Sequence, residues 1–375
     1  MGDVANFGVA NYLVRLRVPK TMVVASSGVQ VGEKMLGPGP GDKKEVFLLG
    51  TGLRHFALQL STRYAVREKK VGPVRVRWFH VREHAADADA VLAQAASALG
   101  VYQKMFGPYP WPELDVVEAP LTGGAGGMEY PGLVTVAMAL TGRQAGSPAD
   151  ALLQQVLEST GTVEFVLAHE IAHQWWHALV GSDSARHPFL DEALANYTAV
   201  MYFEARHGQE AAARQLGLQL AMPYRVYRMM GGADGRVDRP VEAFSSQLEY
   251  AALVYGKGAL FYNALRRKLG RKRFIRMLRR YARRHAFRRV EPVDLLQAAR
   301  GAGARPAAIE NLYRRWIEQA HGDEDIGGLD LRDLDKLLGQ LGALQGISNI
   351  KIDGQLDPAT LKMLQDAVRQ LTGGP

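Results

Sequence analysis

Two histidines in the stretch HEIAHQWW, at positions 169 and 173, restrict this chain more than anything else in it. On an α-helix, residues four apart lie about 6 Å apart along the axis and roughly 40° apart around it, so both imidazoles can be turned toward one ion. Glu170 lies about 100° round from His169, where its carboxylate can take a proton from a water beside that ion. The pattern H-E-x-x-H arises by chance in roughly one chain in a hundred of this composition, and the competing reading is an ordinary helix with two partly buried histidines. The chain contains no cysteine. Disulfides, thiolate metal sites and cysteine nucleophiles are therefore excluded together, and any metal must be held by His, Asp or Glu.

A catalytic zinc takes three protein ligands and keeps one position open. His177 continues the four-residue spacing but would lie about 12 Å along the axis from His169, beyond reach of the same ion, and is expected on the polar flank of the helix. Glu192, in FLDEALANY, opens a second amphipathic segment after the loop GSDSARHP. Two helices with a short connection pack antiparallel, which brings a carboxylate back to the first helix. The alternative for Glu192 is an acid placed at a helix N-terminus by the macrodipole. Asn196, one turn further on, is a candidate to orient a ligand histidine, and Trp175 and Trp176 are expected in the core.

Around this centre the pattern divides the 375 residues into regions. Residues 1–82 read as strands, with YLVRLRV (12–18), EVFLLG (45–50), HFALQLS (55–61) and VRVRWFHV (74–81) between Gly- and Pro-rich turns. Near residue 83 the spacing becomes helical, and after a Pro/Gly-rich stretch with strands between 109 and 137 the remainder is mostly helical. Composition breaks again near 320. Two amphipathic segments follow, at about 330–345 and 357–371, the second opened by Asp357 as N-cap and Pro358 in the first turn. The expectation is an α+β chain with units at 1–82, 83–320 and 321–375. No run of about 18 apolar residues and no leader pattern is visible, which predicts a chain soluble as given, cytoplasmic or periplasmic, or a soluble portion of a larger membrane-associated protein.

HEIAH, followed by eighteen residues and then Glu192, resembles the gluzincin signature of the aminopeptidase N family of zinc metallopeptidases, to which alanyl aminopeptidases and leukotriene hydrolase belong. GGMEYPG (126–132) is similar to that family's exopeptidase motif, with Tyr130 in place of its usual Asn, and YAALVYGKGALF (250–261) to its catalytic-tyrosine segment. The resemblance covers roughly residues 10–320. It implies a partial N-terminal β-domain, then a thermolysin-like, mainly helical catalytic domain with a small mixed sheet, then a short helical tail. It further implies one zinc per chain on His169, His173 and Glu192, with Glu170 as general base toward metal-activated water and Tyr255 stabilising the oxyanion. Glu129 would grip the substrate α-ammonium, while Gly126, Gly127, Met128 and Tyr250 would line the peptide site. Gly123 to Gly127 suit close backbone approach and edge-strand addition, and no Gly-Lys-Ser/Thr makes them a phosphate loop.

The implied function is zinc-dependent removal of N-terminal residues from peptides. The alternatives are a catalytically silent zinc-containing peptide-binding module and a zinc hydrolase with endopeptidase activity. Relatives carry a longer N-terminal β-domain and a long C-terminal helical domain, which leaves two readings: a compact enzyme, or a fragment whose N-terminal side a partner or missing domain would cover. The net charge of +8 is local: thirteen Lys or Arg and no acid lie between Arg266 and Arg289, and the rest of the chain is net negative. That run reads as a solvated face around a buried stripe of Phe274, Ile275, Met277, Leu278 and Tyr281, with nucleic-acid or anionic-membrane contact as the lesser alternative.

Overall fold

The computed structural model describes residues 7–39, 41–122, 125–142, 157 and 159–328. The expected segments at 330–345 and 357–371, together with Gly123 and Gly124, lie outside these residues. The first five strands are β1 (Ala10–Pro19), β2 (Val23–Ser26), β3 (Val29–Met35), β4 (Lys43–Leu53) and β5 (Leu58–Ser61). An antiparallel sheet runs β1-β4-β3, and β2 pairs with β5. Alternation along β4 turns Val46 and Leu48 into a small core while Leu49, opposite Leu13, faces solvent.

A second, five-stranded sheet contains β6 (Tyr64–Val71), β7 (Val74–Val81), β8 (Glu113–Ala119), β9 (Gly127–Met128) and β10 (Leu133–Ala137) in the order β6-β7-β8-β10-β9. β8 is parallel to both neighbours and buried along its whole length, whereas β6 and β9 form the antiparallel edges. The change of pattern near residues 82–85 falls in the 3-10 turn Arg82–Asp87. β7 before that turn hydrogen-bonds to β8 after it, from Arg75 opposite Glu113 to Phe79 opposite Val117. Strands β3 and β6, absent from the sequence expectation, are charged edge strands whose solvated sides blur the hydrophobic alternation.

Helix α1 (Ala88–Phe106) packs on this sheet and against α2 (Thr162–Ala172), where the Tyr102 hydroxyl donates to the Ala168 carbonyl at 2.8 Å. Behind α2 lie α3 (Glu192–His207), α4 (Ala259–Leu269), α5 (Arg271–Arg284) and α6 (Pro292–Arg300). Trp175 and Trp176 are core residues, 0% and 1% exposed, and the Trp176 indole donates to Thr198 Oγ1 at 3.0 Å. Two π-helical segments, Leu216–Ala221 and Ala251–Gly258, pack together at Gly256, where a Cβ would come within 2.8 Å of the Leu220 carbonyl oxygen. On α5, Phe274, Met277, Leu278 and Tyr281 are buried as the periodicity predicts, and Ile275 is half-buried. No helix among the described residues is long and apolar enough to cross a membrane.

Buried acids tie the strands together. Asp115 on β8 accepts two bonds from Arg77 of β7, at 2.7 and 2.8 Å, and one from the Ser26 amide at 3.0 Å. Burial pushes its carboxyl up to about 6 against the pull of the Arg77 guanidinium. Glu118 accepts from the Val81 amide and from Thr141 Oγ1, both at 2.8 Å, and lies 2.6 Å from His84 Nδ1. Removing one partner of such a pair strands a buried charge, so Arg77→Ala is expected to cost about 3–5 kcal/mol, read by urea denaturation of the full chain. A change below about 1 kcal/mol would show that water reaches Asp115 freely.

Candidate metal centre and its cleft

Helix α2 begins after Gly161, whose positive φ of 67° reverses the chain, and Phe165 and Leu167–Ala172 are all buried. The helix is thus enclosed rather than amphipathic, and its two histidines point into the protein. It stops at Ala172, one turn short of the extension that would place His177 on its flank. His177 instead sits in the following turn at φ 153°, 1% exposed, with Nδ1 3.5 Å from Asp191 Oδ2. Helical spacing stops predicting direction once the chain leaves the helix.

The start of α3 is fixed by Asp191. Its side chain caps the helix by accepting from the Glu192 amide at 2.8 Å and also accepts from Ser182 Oγ at 2.9 Å and from the Ser184 hydroxyl. Asp191 is therefore the residue that aims Glu192, a role the sequence reading missed. Its signal was present, since an acid immediately before a helix is a strong N-cap.

His169, His173 and Glu192 converge. The two Nε2 atoms are 3.1 Å apart, and Glu192 Oε2 lies 3.4 Å from His169 Nε2 and 3.2 Å from His173 Nε2. Ligands held about 2.0–2.1 Å from one tetrahedral ion are separated by about 3.3 Å, so the donors fit zinc with a fourth direction left over. His173 Nδ1 lies 3.0 Å from the Trp176 carbonyl, which fixes its proton there and leaves Nε2 as the donor atom. The buried Oε2 atoms of Glu170 and Glu192 have no hydrogen-bond partner. Unbonded carboxylate oxygens beside two imidazole nitrogens are what a bound cation would resolve. Asn196, expected near a ligand histidine, instead donates through Nδ2 to the Tyr255 carbonyl at 2.8 Å, fixing the π-helical segment relative to α3.

The charges around these atoms are strongly coupled. Burial pushes the Glu170 carboxyl well up, helped by the neighbouring carboxylates of Glu129 and Glu192. Burial alone would also raise Glu192, but the adjacent imidazoles of His169 and His173 hold it well below the usual range. Burial lowers His169, whereas His173 is raised because Glu129, Glu192 and Glu170 outweigh its desolvation. Tyr255, half-buried beside Glu192, is raised well above an ordinary phenol by desolvation and by that carboxylate, and keeps its proton.

These groups lie in a cleft of about 610 Å³. One wall carries Gly126, Gly127, Met128 and Glu129, and the opposite wall carries Tyr250, Ala251 and Tyr255. Tyr255 has its ring 5.8 Å from that of His169 and 5.6 Å from that of Tyr250, which in turn packs edge-on against Phe244 at 5.1 Å. β9 is the outer strand of its sheet, paired on one side through Met128 opposite Thr135. A Cβ at Gly127 would overlap the Glu170 carboxylate, so only glycine lets the two approach. Among the described residues lining the cleft, the acids are Glu129, Glu170 and Glu192, and no Lys or Arg is present.

The model of the peptidase family M1 domain matches residues 91–316. Aminopeptidase M1-B of Oryza sativa subsp. japonica is 25% identical over 331 residues, covering 87% of this chain and 36% of its own length. Aminopeptidase M1 of Arabidopsis thaliana is 26% identical over 257 residues, covering 66% of this chain and 27% of its own length. The chain thus spans about a third of the curated relatives it matches. Among solved structures, a mutant M1 zinc metallopeptidase from Deinococcus radiodurans superposes with a TM-score of 0.61 at 22% identity, covering 83% of this chain and 65% of that one. The same mutant bound to a Tyr-Ser-Ala substrate gives 0.61 at 23% identity, covering 83% and 64%. At that identity the likeness speaks for the fold.

The geometry makes a separable prediction. Glu192→Gln should weaken zinc binding by at least about a hundredfold and Asp191→Ala, which only loosens the aim of Glu192, by about tenfold, in competition with a chromogenic chelator. Equal losses from both changes would contradict this division of labour.

Proposed function

The chain belongs to peptidase family M1, and from that premise we propose that it is a zinc-dependent aminopeptidase holding one zinc on His169, His173 and Glu192. The observation that carries the reading is the set of three donors 3.1–3.4 Å apart, facing a cleft whose other charged side chains are carboxylates. When bound, zinc lowers the pKa of water and polarises a carbonyl. It also places a positive charge beside Glu170, opposing the effect of burial and of the acids around that carboxylate.

The chain's own groups supply the rest. Glu170 accepts the proton of the attacking water and later delivers it to the departing amine. Gly127 gives that carboxylate room, and the β9 backbone from Gly126 to Met128 offers its free edge to an extended peptide. The Tyr255 hydroxyl, kept protonated by its surroundings, donates to the oxygen on which negative charge develops. Glu129 holds the α-ammonium, and Tyr250 braces Tyr255 from the side. Three carboxylates against one divalent cation and neutral histidines leave the cleft one negative charge in excess, a complement to a free amino terminus. We assign the catalytic unit to residues 83–320 together with the β6–β7 hairpin, which shares their sheet.

The test is a profile of aminoacyl arylamides with and without an N-terminal block, alongside metal analysis. Unblocked substrates should be cleaved and blocked ones spared. Glu170→Gln should lower kcat by at least about a thousandfold with zinc retained. Equal cleavage of blocked substrates would favour an endopeptidase instead, and zinc-loaded protein inert toward both would favour a binding module. Glu129→Ala should raise KM for unblocked substrates by about tenfold or more and narrow the preference over blocked ones.

A further inference from the structure

The cleft leaves the basic run unused. Some of its charges are spoken for within the fold. Arg266 and Arg271 pair with Glu204 at 2.5 and 3.0 Å, Arg289 with Asp183 at 3.3 Å, and Arg279 donates to the carbonyls of Lys104 and Met105. Arg276, Arg280 and Arg284 differ: among the described residues no carboxylate forms an ion pair with any of them. With Arg273 they recur every three or four residues, so one side of α5 carries a row of guanidinium groups about one helical turn apart.

That row borders a cavity of about 380 Å³ between α5 and α6, where Met277 and Tyr281 also contribute to the lining. Both are 3% exposed, which gives the groove a fixed apolar base beneath its charged rim. Asp294 is the one acid lining it, and its carboxylate already accepts from the Glu291 amide at 2.9 Å as part of the α6 cap. Four like charges in a row along one helix repel one another and destabilise it. A guanidinium fork matches the oxygens of a phosphate group in pairs, and several phosphates on one molecule would neutralise several positions together.

We propose that the α5–α6 groove is a binding site for a small polyanion carrying two or more phosphate groups. It shares no lining residue with the zinc cleft, so the inference stands apart from the peptidase reading.

The experiment uses the full chain with zinc and inorganic tripolyphosphate as probe, followed by titration calorimetry at two salt concentrations. Saturable one-to-one binding that weakens with salt is expected. Arg276→Ala with Arg280→Ala should reduce affinity at least about tenfold. Lys272→Ala with Arg283→Ala removes the same charge from exposed positions outside the groove and should change it less than about twofold. Unchanged zinc content and melting temperature would establish that both double variants are folded. Equal losses in the two pairs would overturn the site in favour of diffuse charge, as would no binding at millimolar probe. RNA or anionic vesicles that bind without competition from tripolyphosphate would overturn it in favour of an extended surface.

Discussion

The convergence of two imidazoles and one carboxylate is the constraint to which the surrounding architecture answers. Three donor atoms 3.1–3.4 Å apart, on residues that are each buried, would repel or starve one another of hydrogen bonds unless something held them. The holding is done from outside the trio. A backbone carbonyl after the end of α2 turns His173, an N-cap aspartate aims the first residue of α3, and aromatic core residues fill the space between those helices and α1. The centre is therefore rigid because the chain around it is packed, and each ligand depends on a different neighbour.

Much of this was legible in the sequence because it depends on local spacing. A four-residue interval on a helix and a carboxylate at the start of the next one made the trio a candidate, the resemblance to a family signature singled it out, and the structure brings the three together. What was not legible depends on where helices stop or widen. His177 obeys the interval but lies past the end of α2, and nothing in HEIAHQWW announces that end. Asn196 was a candidate to orient a ligand histidine from its place one turn past Glu192, yet its amide reaches across to a backbone carbonyl on a π-helical segment. Single-turn widening of that kind leaves little trace in hydrophobic periodicity. Edge strands β3 and β6 were missed for another physical reason: a strand with a solvated side can carry almost any polar residue.

Charge is distributed with opposite signs in two places. The described cleft residues contribute three acids and no Lys or Arg, while α5 carries a row of arginines on an exposed side. A net value of +8 therefore misdescribes both regions, since the sum is dominated by one helix and its flanks. Local sign, not total charge, decides which ligands each surface attracts at distances shorter than the screening length.

The exposed edge of β9 has a cost as well as a use. An unpaired run of backbone donors and acceptors that can welcome one extended chain can welcome any, including a strand from a second copy of the same molecule. Here the edge strand spans only Gly127 and Met128, and an acid follows it immediately. Brevity and negative charge act as gatekeepers: they make long cross-strand stacking between molecules unprofitable while leaving room for a few residues of a visiting chain.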